Sequence, residues 1–175
     1  MGYVTLSVSA TTRAPRAGER DGVEYHFVSR EEFERMIAND EMLEYTEYSG
    51  NYYGTPRRFV EQALEDGRNL VLEIETEGGQ NIARLCPEAV RIFVMPPSLE
   101  ALRERLRGRG TETEEVIERR LGEARREIAA AVNYDFIIVN DDVFLAREQL
   151  ASAIEAGSAL RRLQENTIKE VLKTC

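Results

Sequence analysis

Residues 55–75 read Thr-Pro-Arg-Arg-Phe-Val-Glu-Gln-Ala-Leu-Glu-Asp-Gly-Arg-Asn-Leu-Val-Leu-Glu-Ile-Glu. Thr55 is a helix-cap residue and Pro56 suits the first helical position. A helix then carries Phe59, Ala63 and Leu64 on one face and stops at Gly67. Asn69–Ile74 follows as an apolar run, β-rich on both faces, as strands buried in a parallel sheet are. Two more such runs lie downstream, Val90–Met95 and Tyr134–Val139. Helical stretches lie between them: Ser98–Arg107, then Glu114–Ala131, with Val116, Ile117, Leu121, Ala124 and Ile128 at helical spacing. This alternation from residue 55 onward predicts an α/β domain with a parallel sheet.

Outward from that stretch the pattern changes. Tyr3–Ser9 alternates like a strand, and Thr11–Gly22 is a polar loop. Tyr25–Ser29 is a short strand. Ser29 opens a helix with Glu32 three residues on, a capping box, and Phe33, Met36 and Ile37 share a face before a stop near Asn39. Met42–Tyr53 forms a hairpin about Ser49-Gly50-Asn51. Residues 24–54 are thus expected to be a small antiparallel insertion. At the other end a long helix starts near Val143 and breaks at Gly157, before an amphipathic tail within 151–175.

The chain has 175 residues, 42% hydrophobic and 31% charged. Length and composition predict one soluble domain, 1–175. Its 23 cations and 32 anions leave a net charge of −9. That argues against binding nucleic acid or an anionic membrane through overall charge. No apolar run reaches the roughly 18 residues a spanning helix needs. With two separated cysteines, Cys86 and Cys175, and one histidine, neither a zinc site nor a disulfide framework is expected, and the chain reads as cytoplasmic. Only Lys169 and Lys173 are lysines; the other cations are arginines.

Four segments carry candidate chemistry. Residues 9–19 (SATTRAPRAGE) set hydroxyls before Arg13 and Arg16 in a loop held by Pro15 and Gly18. They form either a phosphate grip, since guanidinium forks bind phosphate oxygens in pairs, or a solvated surface loop. Residues 44–55 hold four of the seven tyrosines, which serve a ligand or simply pair across a hairpin. Glu73 and Glu75 end a strand, where ligands sit in open α/β sheets; solvated loop carboxylates are the plainer reading. Arg103–Arg126 holds eight arginines and six glutamates, with Gly108 and Gly110 flanking Arg109. It is either a mobile arginine arm over phosphates or a charged helix laced with i, i+4 pairs.

Taken in order, SATTRAPRAGE, EYSGNYYGTP, LEIETEGG, MPPSLEALRERLRGRGTETEEVIERRL and YDFIIVND resemble the guanylate kinases, which use ATP to convert GMP to GDP. The resemblance runs from about Ser7 to about Leu150. It implies a P-loop-kinase-like parallel sheet flanked by helices, a GMP-binding insertion at 24–54 and an Arg-rich lid at 103–126. It assigns Ser9, Arg13 and Arg16 to the GMP phosphate, with Glu19 and Tyr25 in the same loop and Tyr53 reaching the phosphate. Glu44 and Thr55 would read the guanine. Glu75 matches an acidic position beside the guanine and the magnesium-bound water, with Glu73 usually acidic as well. Arg105, Arg109 and Arg120 match lid and phosphate-contact arginines assigned to catalysis. Asn140, with Arg109, falls on the ATP side. GMP and ATP are the implied partners and Mg²⁺ the implied cofactor, with no direct protein ligand to the metal.

The sequence departs from the family's pattern in one large respect. No GxxxxGK[ST] loop occurs, no Gly-Lys dipeptide occurs, and no Lys precedes residue 169. That loop would cradle the ATP phosphates and hold Mg²⁺. The first central strand, the loop and the first helix are therefore expected to be missing, and activity to be strongly impaired. Unpaired sheet edges would then favour a weakly stable monomer or self-association. A kinase read from too late a start and a non-catalytic GMP-binding or protein-interaction module are the two accounts of this pattern. A smaller departure is Glu77, where many members carry Gln.

Overall fold

The computed structural model describes residues 4–48, 50–108, 110, 112–160 and 164–173. Contacts divide the chain into two compact units, Met1–Pro87 and Glu88–Cys175.

In the first unit, β1 (Val4–Leu6) pairs in parallel with β6 (Asn69–Val71). A second sheet contains β2 (Ala10–Thr11), β3 (His26–Phe27), β4 (Met42–Tyr48) and β5 (Asn51–Pro56), in the order β3-β2-β5-β4. Three helices complete the unit: α1 (Arg30–Ala38), α2 (Arg57–Glu65) and α3 (Thr76–Leu85). The insertion is not purely antiparallel. β2 comes from the segment read as loop and lies between β3 and β5, parallel to one and antiparallel to the other.

Local chemistry explains the boundaries. The Ser29 hydroxyl accepts from the Glu32 amide at 3.1 Å and starts α1. The Glu32 carboxylate does not complete a capping box; it binds Arg35 instead. Ser29→Ala is expected to cost about 1 kcal/mol. It should appear as a lower urea midpoint at unchanged slope. Past α2, Gly67 has φ 67°, and the amides of Gly67 and Arg68 return to the carbonyls of Leu64 and Ala63. That closure needs a left-handed residue, which glycine provides. Thr55 is not a helix cap. Pro56 occupies the cap position, and Thr55 is a fully buried strand residue.

The sheet's core is Ala10, Phe33 and Met42, with Val28, Met36, Ile37 and Tyr52 packed on it. Phe33 stacks on Tyr52 with ring centroids 5.1 Å apart and meets Tyr45 edge-on at 6.5 Å.

In the second unit β7 (Ile92–Met95) pairs in parallel with β8 (Phe136–Val139), Ile92 opposite Phe136. The unit also contains α4 (Leu99–Gly108), α5 (Glu114–Ala130), α6 (Val143–Ser158) and α7 (Glu165–Lys173), with α6 packed on β8 and α4 on α5. Leu106, Ile117 and Leu121 form a core between α4 and α5. The strands are not buried on both faces as expected. Phe93 and Ile138 are inside, but Val94 and Ile137 are about half exposed. Side chains alternate across a strand, so covering one face leaves every second residue open. The arginine-rich stretch pairs both across helices and along one: Arg103 with Glu118 on α5 and with Glu100 on its own helix at 3.8 Å, and Arg107 with Glu114 at 2.7 Å. Cys86 is a free, part-buried thiol, whereas Cys175 lies outside the described residues.

Candidate functional site

The register of β4 and β5 assembles the site. Glu44 stands opposite Thr55, and Thr46 opposite Tyr53. Cross-strand partners share a face, and residues two apart on one strand share it too. These four side chains therefore face one way. The Thr55 hydroxyl donates to Glu44 Oε1 at 2.7 Å. Both residues are buried, Glu44 to 5% exposure.

Glu44, Thr46 and Tyr53 line a cavity of about 240 Å³ together with Ser9, Tyr25, Glu73 and Glu75, while Thr55 lies behind Glu44 and holds it. Of the residues singled out in the sequence, Ser9, Tyr25, Glu44, Tyr53, Glu73 and Glu75 line one space. Burial pushes the Glu44 carboxyl above the usual carboxylate range, and the Thr55 hydrogen bond only partly offsets it. Burial likewise raises the Tyr25 phenol, with the Glu73 charge adding to it.

The arginine loop is ordered by its own carboxylate. Arg13 Nη1 and Nη2 donate to the two oxygens of Glu19 at 3.0 and 2.9 Å. The Arg16 amide donates to the same carboxylate at 2.6 Å. The Arg13 hydrogen bonds hold Glu19 below the usual carboxylate range, and the Arg16 amide adds to this. The Arg13 guanidinium also lies 5.4 Å from the Tyr25 ring centre, and Tyr25 meets Tyr53 edge-on at 6.1 Å. Arg16 is exposed. Neither arginine is among the cavity's lining residues.

In the second unit Arg105 donates to the backbone carbonyls of Asn140 and Asp141, at 2.8 and 3.3 Å. It tethers α4 to the loop after β8. Arg120 is ion-paired with Glu112 at 3.2 Å. Asn140 Oδ1 is buried and has no hydrogen-bond partner among the described residues. Arg109 lies outside the described residues.

Sequence reasoning missed Thr46, which lines the cavity. Thr46 was findable, because it lies two residues beyond Glu44 on the same strand. Its hydroxyl donates to Glu77 Oε2 at 2.9 Å and ties α3 to β4. Among the described residues no group of three or more His, Cys, Asp or Glu side chains could hold a metal ion. No described helix is long and apolar enough to cross a membrane.

The guanylate kinase family model matches residues 2–157. The chain belongs to the guanylate kinase family. A guanylate kinase of Halalkalibacterium halodurans is 51% identical over 158 residues, covering 90% of this chain and 78% of that protein. One from Streptococcus thermophilus is 55% identical over 150 residues, covering 86% and 72%. A crystal structure of guanylate kinase from Anaplasma phagocytophilum superposes with a TM-score of 0.78 at 36% identity, covering 93% of this chain and 84% of that one. Its relatives are thus named as phosphotransferases, and the α/β fold is that of a guanylate kinase.

Proposed function

We propose that the cavity of the first unit is a GMP site, serving the reaction ATP + GMP → ADP + GDP. The carrying observation is Glu44, a buried carboxylate held by the Thr55 hydroxyl inside a cavity. A buried carboxylate needs donors, and the guanine edge offers two, N1–H and the 2-amino group. An adenine edge would set a ring nitrogen lone pair against it, leaving the charge unmatched. Ser9, Arg13, Arg16 and Tyr53 would receive the phosphate, with Glu19 holding Arg13 and Arg16 in place through the contacts above. Tyr25 and Glu75 complete the same wall. Phosphate would compete with Glu19 for Arg13, since both use the guanidinium fork.

On the ATP side, Asn140 is proposed to meet the adenine, supported by its buried, unpartnered Oδ1, an acceptor for an exocyclic amine. Arg105, Arg109 and Arg120 are proposed to stabilise the transferring phosphoryl group. Mg²⁺ is expected to enter with ATP. The described residues do not frame a site for it by themselves.

Phosphoryl transfer depends on positioned charge, and these 175 residues contain no GxxxxGK[ST]. Turnover by these residues alone is therefore proposed to be strongly reduced while GMP binding persists. The test is paired: titrate GMP calorimetrically, and measure ADP formation with ATP, Mg²⁺ and GMP. GMP binding with little ADP is the expected result. No GMP binding would overturn the site, and rapid ADP formation would overturn the reduced turnover.

A further inference from the structure

Glycine is a poor helix residue because it loses the most backbone freedom on folding. Yet α3 carries Gly78 in its first turn, and Gly78 is buried. A Cβ built there would lie 2.5 Å from Glu44 Oε2 and 3.3 Å from Glu44 Cδ. Its next neighbour, Ile74 Cβ at 3.5 Å, is at ordinary contact distance. The crowding is therefore with the carboxylate alone.

The Glu44 carboxylate is thus bounded on both sides. Thr55 holds Oε1, and the bare α-carbon of Gly78 confines Oε2. The helix cannot easily retreat, since Glu77, next to Gly78, accepts from Thr46 on β4.

We propose that Gly78 is a positioning residue for guanine recognition: by lacking a side chain, it lets α3 close onto Glu44 and fixes the plane of that carboxylate. The inference rests on the reading of the cavity as a GMP site. Two in-line acceptors for N1–H and the 2-amino group require the carboxylate plane to match the base plane. A methyl at position 78 would push Oε2 out of that plane and leave the phosphate end of the cavity untouched.

The experiment uses the whole chain and three probes: GMP, IMP (which lacks the 2-amino group) and ribose 5-phosphate, which has no base. Gly78→Ala is expected to weaken GMP roughly 10- to 100-fold, the scale of an ångström-sized misplacement. IMP should weaken less, so the GMP/IMP preference falls, while ribose 5-phosphate binds as to the wild type. A general structural lesion would weaken all three equally, and that result would overturn the proposal, as would unchanged GMP binding. Glu44→Asp shortens the carboxylate arm. Its effect should therefore be smaller in the Gly78→Ala background than in the wild type. If Gly78→Ala does not fold, recovery of a cooperative melt by adding Glu44→Asp supports the same contact, and failure to recover refutes it. A wild type that binds ribose 5-phosphate but not GMP overturns the GMP reading itself, and this inference with it.

Discussion

Glu44→Gln is expected to lower GMP affinity by about 100- to 1,000-fold while leaving ribose 5-phosphate binding unchanged. The carboxylate would accept two hydrogen bonds from the base, and bonds to a charged group contribute about 1.5–3 kcal/mol each. A glutamine keeps the shape, but it turns one acceptor into a donor that points at a donor. Calorimetric titration with both ligands reads the split. A GMP loss under about tenfold would mean the base is read elsewhere.

The same variant should be as stable as the wild type at neutral pH, or more so. Burial raises the Glu44 carboxyl in the folded state above its ordinary value. Between that ordinary value and the raised one, the folded chain holds a proton that the unfolded chain has lost. Wild-type stability therefore falls as pH rises through that window, and the glutamine variant lacks this slope. GMP binding runs the other way. It needs the ionised carboxylate, so affinity should fall as pH drops through the raised value. Melting curves and titrations across the carboxylate range check both signs.

Much of this site was legible because it follows strand periodicity. Glu44 and Tyr53 lie on two adjacent strands of a hairpin that composition and turn residues reveal. Ser29 and Gly67 likewise mark helix ends by local chemistry alone. Three features were not legible, for separate physical reasons. Helix α3 was hidden because Gly78-Gly79 argues against a helix, while the reason for Gly78 is a close approach to Glu44, 34 residues earlier. Thr55 had the sequence context of a helix cap, yet its hydroxyl meets a cross-strand carboxylate. The arginines of α4 could pair along the helix or across to α5, and sequence spacing does not distinguish the two.

Phe33→Ala is expected to destabilise the first unit by about 3–5 kcal/mol, the usual range for removing a buried Phe. Phe33 is fully buried, and it is the buried residue of α1; Met36 and Ile37 are only partly covered. A nine-residue helix is too short to persist without tertiary contacts. Removing its anchor should therefore loosen all of α1 as well as leaving a cavity. The ring also stacks on Tyr52, whose chain neighbour Tyr53 lines the cavity. GMP binding should consequently weaken along with stability, unlike Glu44→Gln, where the two separate. The chain has no Trp and seven Tyr, so urea unfolding is read by tyrosine fluorescence and far-ultraviolet circular dichroism. Phe33→Leu keeps most of the volume and should cost less than about 1.5 kcal/mol. Phe59 provides the comparison, since it stacks on His26 but is 38% exposed, and Phe59→Ala should cost clearly less. Equal losses for Phe33→Ala and Phe59→Ala would show that burial against the sheet is not what makes Phe33 the anchor.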